Sequence, residues 1–367
     1  MLDQLTAQLE RSTALSAGQV AAAVRALVRE DLAPEVKAEF LSALATKGET
    51  TEEIAAFARE LRALSVPVPL DEATRARGIL DVCGTGGDRL GTFNISTTVA
   101  ILCAAAGVTV AKHGNRAVTS QAGSADVLEA LGIPIDLTPE KASRGLRELG
   151  FAFFFAPKFH PAFKHIAPAR KLCAGRGQRT IFNFLGPLLN PARPGAQLVG
   201  VPRVELCEPM AKVLQKLGVR RGMVVCGGVN FKAQSSKLKA QNSAPLTEKE
   251  AALLDELSTL GPNTVAEFYH DRGFNESVLS PNDFPLQPAM LDDLKGGDRE
   301  ANAEIVRRLL RGEERGPKRD AVLLNAGAAL FVASRTRSIL DGWALAVEVI
   351  DSGSAAAKLE ALTTVKA

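Results

Sequence analysis

Three glycines fall within four residues at Gly84-Thr85-Gly86-Gly87, and Asp88 follows. Glycine accepts positive φ without steric penalty, so such a loop can turn successive backbone N–H groups onto one anion. A few residues on, Asn94-Ile95-Ser96-Thr97 places an amide and two hydroxyls at the start of an apolar run that ends at Gly107. A helix opening there adds its own unpaired N–H groups. Lys112 follows the β-branched stretch Val108–Val110 and leads into His113-Gly114-Asn115-Arg116. A lysine at the end of a buried strand is costly unless it meets an anion or a carboxylate. By itself Gly84–Asp88 fits a tight structural turn as well as a phosphate site. With Asn94, Ser96, Thr97, Lys112 and Asn115 in the same unit, the balance moves to a polyphosphate. The loop is neither a P-loop, since no G-x-x-x-x-G-K-[ST] occurs, nor a standard dinucleotide fingerprint, since Arg89 stands at the sixth position.

Other residues carry weaker signals. Ser124-Ala125-Asp126 opens a helix, where Ser124 serves as an N-cap, as an anion donor, or both. His160, before Pro161, is equally a cap or a site residue. Arg170 is a solvated charge unless its planar fork faces a ligand carboxylate. Asp255-Glu256 is solvated charge if helical; in a loop at a strand end it suits Mg²⁺, with phosphates and water completing the shell.

The elements that position these residues alternate between strand and helix. Ile79–Cys83 reads as a strand before the glycine loop, with Phe151–Ala156, Gln197–Val201, Met223–Cys226 and Val265–Tyr269 as further strands. Phe151–Ala156 is almost wholly apolar, as in a parallel sheet covered on both faces. Helices are expected at Ser124–Leu131, Pro139–Leu149, Val204–Leu217, Glu300–Arg311, Asp320–Ala333, Ile339–Asp351 and Ala355–Leu362, with short helical turns at Pro161–Ile166 and Pro168–Leu172. Before this region, Ser12–Leu15, Ser16–Glu30, Ala33–Lys47 and Thr51–Leu64 read as four helices, with Ser16 and Thr50 or Thr51 as caps and Gly48 as a stop. Val66-Pro67-Val68-Pro69 is an extended linker. Ligands bind at the carboxyl ends of strands in open α/β sheets, which is where the polar motifs fall.

The chain has 367 residues, enough for a large core and two lobes, and is 46% hydrophobic. A net charge of +3, from 44 basic and 41 acidic residues, implies no nucleic-acid or membrane partner. The five cysteines form no C-x-x-C pair and the four histidines show no zinc spacing, so free thiols in a reducing cytoplasm are expected. No signal peptide and no spanning run is evident. Residues 232–245 are polar and read as a surface loop.

Taken together, the motifs resemble those of the anthranilate phosphoribosyltransferase family over nearly the whole chain: GTGGD at 84–88, NIST at 94–97, KHGNR at 112–116, GSADVLEALG at 123–132, FAPKFHPA at 155–162, RTIFNFLGPLLNP at 179–191 and LDE at 254–256. The resemblance implies a small all-helical N-terminal domain at 1–70, completed by helices from about 161–190. It further implies an α/β domain at 75–367, whose central, mostly parallel sheet is covered by helices. It implies Mg²⁺-dependent transfer of phosphoribosyl from phosphoribosyl pyrophosphate to the amine of anthranilate, in tryptophan biosynthesis. Gly84, Thr85, Gly87, Asp88, Asn94, Ser96, Thr97, Lys112 and Ser124 would bind phosphoribosyl pyrophosphate. Gly84, His113, Asn115, His160 and Arg170 would line the anthranilate channel. Ser96, Asp255 and Glu256 would hold two Mg²⁺ ions. No residue is assigned as an acid or base. A cytoplasmic homodimer through the helical domain is implied as well.

The chain departs from the family pattern in several places. Cys226 stands where the family has histidine, and 228–253 reads as an insertion before the acid pair. About three extra residues lie within Cys173–Gln178, to be absorbed in a loop. Thr119-Ser120-Gln121-Ala122 replaces a serine- and lysine-rich run. Two alternatives follow. One is a non-catalytic relative that binds nucleic acid or protein through 226–256, where Lys232, Lys237 and Lys239 give a basic cast. The other is a pyrimidine nucleoside phosphorylase, whose K-x-S-G-R signature differs from the sequence at Lys112–Arg116.

Overall fold

In the computed structural model, residues 1–117, 121–229, 252–270 and 272–364 are described. Helices α1 (Leu2–Glu10), α2 (Ala17–Leu27), α3 (Pro34–Lys47) and α4 (Thr51–Ala63) come first. Ser16 and Gln19 cap α2 reciprocally, as Thr50 and Glu53 cap α4. Gly48 ends α3 at φ +84°. The first helix is not at Ser12–Leu15. Leu2, Leu5 and Leu9 recur at helical spacing and are buried, which favours the earlier segment. Ser12 instead takes φ +56°, and the N–H of Leu15 donates to the buried Glu53 carboxylate at 2.8 Å, tying the connection to α4.

After the Val66–Pro69 linker and the short α5 (Glu72–Ala76), the chain builds the sheet. Its strands are β1 (Ile79–Gly84), β2 (Thr109–Gly114), β3 (Phe151–Phe155), β4 (Ala196–Gly200), β5 (Arg221–Val229), β6 (Ala252–Leu254), β7 (Asn263–Tyr269) and β8 (Arg272–Leu279). Strand order is β3-β2-β1-β4-β5-β7-β8, with β6 beside β5. The five strands from β3 to β5 run parallel, whereas β6, β7 and β8 add antiparallel pairs. The sequence signals missed β8, whose side chains alternate poorly and include an exposed Val278.

The helices that matter for the site are α6 (Ile95–Ala105), α7 (Ser124–Ala130), α8 (Pro139–Leu149), α9 (Ala156–Phe159), α10 (Ala167–Gly175), α11 (Cys207–Lys216), α12 (Arg299–Leu310) and α13 (Pro317–Val332), followed by α14 (Ile339–Asp351) and α15 (Ser354–Thr363). Nearly every residue of α6 is buried, because it lies between the sheet and α13. The other face of the sheet carries α11 and the first lobe. There α3 packs on α10, and Lys37 Nζ donates to the His165 carbonyl at 2.8 Å. Within Cys173–Gln178, α10 runs on to Gly175 and the chain turns at Gly177 with φ +70°.

Between β6 and β7 the chain lies across the carboxyl ends of three neighbouring strands. A Cβ on Gly84 would stand 2.4 Å from Asp255 Oδ2, one on Gly200 1.6 Å from the Asp255 carbonyl, and one on Gly227 2.4 Å from the Glu256 carbonyl. These glycines are therefore required by close approach of backbone to backbone. We expect Gly200→Ala to lower stability by about 1–3 kcal/mol, read as a lower denaturation midpoint, while Ala in place of Gly175, where nothing lies within 4 Å, leaves the midpoint within error.

Candidate active site

The glycine loop leaves β1 and turns through Gly86 at φ +75° and Gly87 at φ +96°. Thr85 N–H donates back to Gly200 at 2.9 Å. Gly86 N–H donates to Asp255 Oδ2 at 2.6 Å, so a carboxylate already uses one of the loop's anion donors. Asp88 Oδ1 accepts from Leu90 N–H. Asn94 is fixed at both ends of its amide: Nδ2 donates to Ala122 and Oδ1 accepts from Asn302 on α12 at 3.0 Å. Asn302 also holds Gly297 through both of its amide groups. Asn302 was not singled out from the sequence, where a lone asparagine within a polar helix carries no signal.

At the start of α6, Ser96 N–H donates to Glu256 Oε1 at 3.2 Å, and the Ser96 hydroxyl accepts from Lys112 Nζ at 3.3 Å. Thr97 is buried and its hydroxyl has no partner among the described residues. Lys112 is 1% exposed and donates at 2.7 Å to the Val82 carbonyl. Burial lowers its pKa, opposed by the fields of Asp81 and Glu256. Asp81 lies beneath it, fully buried, accepting from Asn190 Nδ2 at 2.8 Å and from His113 N–H at 3.3 Å. Burial raises the Asp81 pKa to about 6, against the pull of Lys112.

Asp255 and Glu256 form a bend in a loop, not a helix surface, and both are buried. Burial first, then Asp88 and Glu256, drive the Asp255 pKa well up. Burial also raises Glu256 to about 7, with Lys112 opposing and Asp88 reinforcing. Carboxylates that hold one another partly neutral are a site for positive charge. Among the described residues no three His, Cys, Asp or Glu side chains close into a metal cage. Two acids on one bend, beside anion-binding N–H groups, instead fit Mg²⁺, which takes its remaining ligands from water and phosphate.

The spacing before the acid pair is settled by a ladder. Gly227, Gly228 and Val229 pair with Leu254, Leu253 and Ala252, so the register of Asp255 is set whatever lies between. Residues 230–251, including Lys232, Lys237 and Lys239, are outside the described residues, as are Thr119 and Ser120. Cys226 is 1% exposed and packs with Cys207 and Val224 in the core below α11, facing away from the acids. The loop is pinned from behind by Asn325 of α13, a fully buried residue. It accepts from Leu257 N–H at 2.9 Å and donates to the Leu257 carbonyl at 2.8 Å. Its side chain thus mimics a strand partner, a role invisible in sequence.

A second group lies beside these residues. The rings of His113 and His160 are 5.2 Å apart, His160 and Phe163 5.2 Å, and Phe163 and Phe182 5.7 Å. The Arg170 guanidinium stands 5.4 Å from the centre of Phe182. His113 Nδ1 lies 3.2 Å from the Gly186 carbonyl. Its Nε2 is buried without a hydrogen-bond partner among the described residues, and the buried His160 ring lies against the Leu189 backbone. Burial, with His160 adding, lowers His113 to about 3, and burial lowers His160 to about 4, so both rings are neutral near pH 7. His160 opens a short 3₁₀ turn but makes no side-chain cap. Asn115, just past β2, has an exposed side chain. Ser124 is the first residue of α7, not its cap. Asp126 accepts from Gly123 N–H at 2.9 Å, and the Ser124 hydroxyl lies 3.4 Å from the Asn115 carbonyl. Arg116 is taken up by Asp126 and Glu129.

The model for the glycosyl transferase family a/b domain matches residues 76–242 and 231–356, and that for the family's helical bundle domain matches 3–65. Anthranilate phosphoribosyltransferase from Rubrobacter xylanophilus is 44% identical over 346 residues, spanning 94% of this chain and 92% of that one. The crystal structure of the Thermus thermophilus enzyme of that name is 42% identical and matches with a TM-score of 0.83 over 98% of both chains. This chain belongs to the anthranilate phosphoribosyltransferase family. A more distant member, the Saccharomyces cerevisiae enzyme in complex with PRPP and Mg, shares 26% identity and a TM-score of 0.81 over 98% of this chain and 96% of that one.

The buried acids of this family member give a pH dependence of defined sign. Glu256 retains its proton up to about 7 in the folded chain but ionises near 4.5 when unfolded. Over that window the native state binds more protons, so metal-free stability falls as pH rises. Asp81, at about 6, adds to the same slope. Denaturation midpoints taken from pH 5 to 8 should decline without Mg²⁺, decline less with it, and decline less in Glu256→Gln.

Proposed function

We propose that the protein transfers phosphoribosyl from phosphoribosyl pyrophosphate to the amine of anthranilate, releasing pyrophosphate, in tryptophan biosynthesis. The observation that carries this is one strand edge on which a positive-φ glycine loop, a buried lysine and a buried acid pair converge beside two neutral histidines.

In this reading Gly84, Thr85, Gly87, Asp88, Ser96, Thr97, Lys112 and Ser124 hold the pyrophosphate end and its ribose, and Asn94 shapes the turn beneath them. The unpartnered Thr97 hydroxyl supports that role. Ser96, Asp255 and Glu256 hold Mg²⁺, two ions by family likeness, which would neutralise the departing pyrophosphate. Lys112 and the loop N–H groups act on the same developing charge from fixed positions. The aromatic amine is neutral and needs positioning more than a base. Gly84, His113, Asn115 and His160 bound its channel, with Arg170 for the carboxylate. The neutral imidazoles leave that carboxylate to Arg170.

The same reading divides the chain into a helical domain at 1–70, completed by about 161–190, and an α/β domain at 75–367. The packing of α3 on α10 supports this division. It takes the protein as a cytoplasmic homodimer joined through the helical domain. No helix among the described residues is long and apolar enough to cross a membrane.

With phosphoribosyl pyrophosphate and Mg²⁺ present, anthranilate fluorescence should fall, and a constant signal would overturn the proposal. Arg170→Ala should raise KM for anthranilate about tenfold or more, the loss of a charge-assisted pair, with KM for the other substrate near unchanged. Asp255→Asn should raise the Mg²⁺ needed for half-maximal rate. Asn325→Ala should shift the same Mg²⁺ curve, because it loosens the Leu257 peptide, while leaving KM for anthranilate in place.

A further inference from the structure

At the amino ends of the strands, on the edge opposite the active site, lies a cavity of about 620 Å³. It is bounded by the starts of β1, β4 and β5, by the end of β7, by Gly107 and Val108 after α6, and by the end of α13 with the residues that follow it. Arg77, Arg220, Arg221 and Arg335 line it together with His270, and among the described residues no aspartate or glutamate does. None of the four forms an ion pair among the described residues. Arg221 is fixed: its guanidinium lies 4.7 Å from the Tyr269 ring centre and 4.0 Å from that of Phe331, and it donates to Ser334 at 3.0 Å. Arg335 Nε donates to the Ala106 carbonyl at 3.0 Å, and Arg77 to the Arg147 carbonyl at 3.1 Å.

Capping of helix carboxyl ends, which a cation favours, explains those last two bonds. It uses one of the five donors on each guanidinium. It does not explain Arg220, whose guanidinium lies against the strand starts. A Cβ on Gly195 would be 3.1 Å from its Nε, and one on Gly78 3.9 Å from its Nη2. Four arginines around one cavity, with no carboxylate among its described lining residues, repel one another, and a multivalent oxyanion would relieve that repulsion while taking bidentate bonds.

We propose that this cavity binds a phosphate or pyrophosphate group, either free or carried on a small metabolite. It is separate from the catalytic edge, since the length of β1, roughly 17 Å at about 3.3 Å per residue, lies between them. The proposal does not depend on the assigned reaction.

Tyr269 is the chain's one tyrosine and lines the cavity, so ring-¹³C-tyrosine labelling gives a single NMR probe of this site alone. Titration of the full chain with inorganic pyrophosphate, and separately with ribose 5-phosphate, should shift that signal saturably, while sodium chloride of equal ionic strength should not. The tighter of the two identifies a free or an esterified group. Arg220→Gln should weaken the response about tenfold or more, as should Arg77→Gln, each with turnover at the catalytic edge retained. No saturable shift with either probe would overturn the proposal, as would equal affinity in both variants.

Discussion

The seating of one bend on three glycines governs the rest of the site. Asp255 and Glu256 cannot lie across β1, β4 and β5 unless Gly84, Gly200 and Gly227 lack side chains. This contact places two carboxylates against the donors of the glycine loop and the start of α6, and so gathers pieces separated by some 170 residues. Asn325 holds the bend from the helix side and Asn302 holds Asn94, so both halves of the site are fixed by buried amides on helices that follow the acids in sequence.

Charge is arranged in depth behind that bend. Asp81 lies below Lys112, Lys112 reaches Ser96, and Ser96 touches Glu256. Each buried group is tolerable because its neighbour is of opposite sign or donates a hydrogen bond. The acids at the open end exceed the cations that face them. An arriving cation with phosphates thus completes a sequence of alternating charge that the protein has begun.

Much of this was legible in the sequence because it rests on local chemistry. The glycine loop, the NIST turn, the strand that carries Lys112, which runs past it to Gly114, and the capped helices are short-range patterns. The seating of Asp255–Glu256 was open, since adjacent acids suit a solvated helix equally well. Three further features were hidden. The first helix follows the Leu2–Leu5–Leu9 stripe and not the Ser12–Leu15 segment. Gly123, and not Ser124, caps α7, with its N–H held by Asp126. Asn302 and Asn325 act through partners that no spacing rule connects. The tertiary contacts of single asparagines and glycines leave no period in a chain.

The short ladder between β5 and β6 has a consequence for how this protein tolerates change. Its three paired residues close the base of the intervening stretch, so the active site is insulated from that stretch's length. Where the ends of a segment are held together, each doubling of its length costs only about 0.6 kcal/mol. That makes this position a natural port: sequence can be added or lost there across evolution, or a reporter grafted by design, without moving the two acids that the ladder delivers.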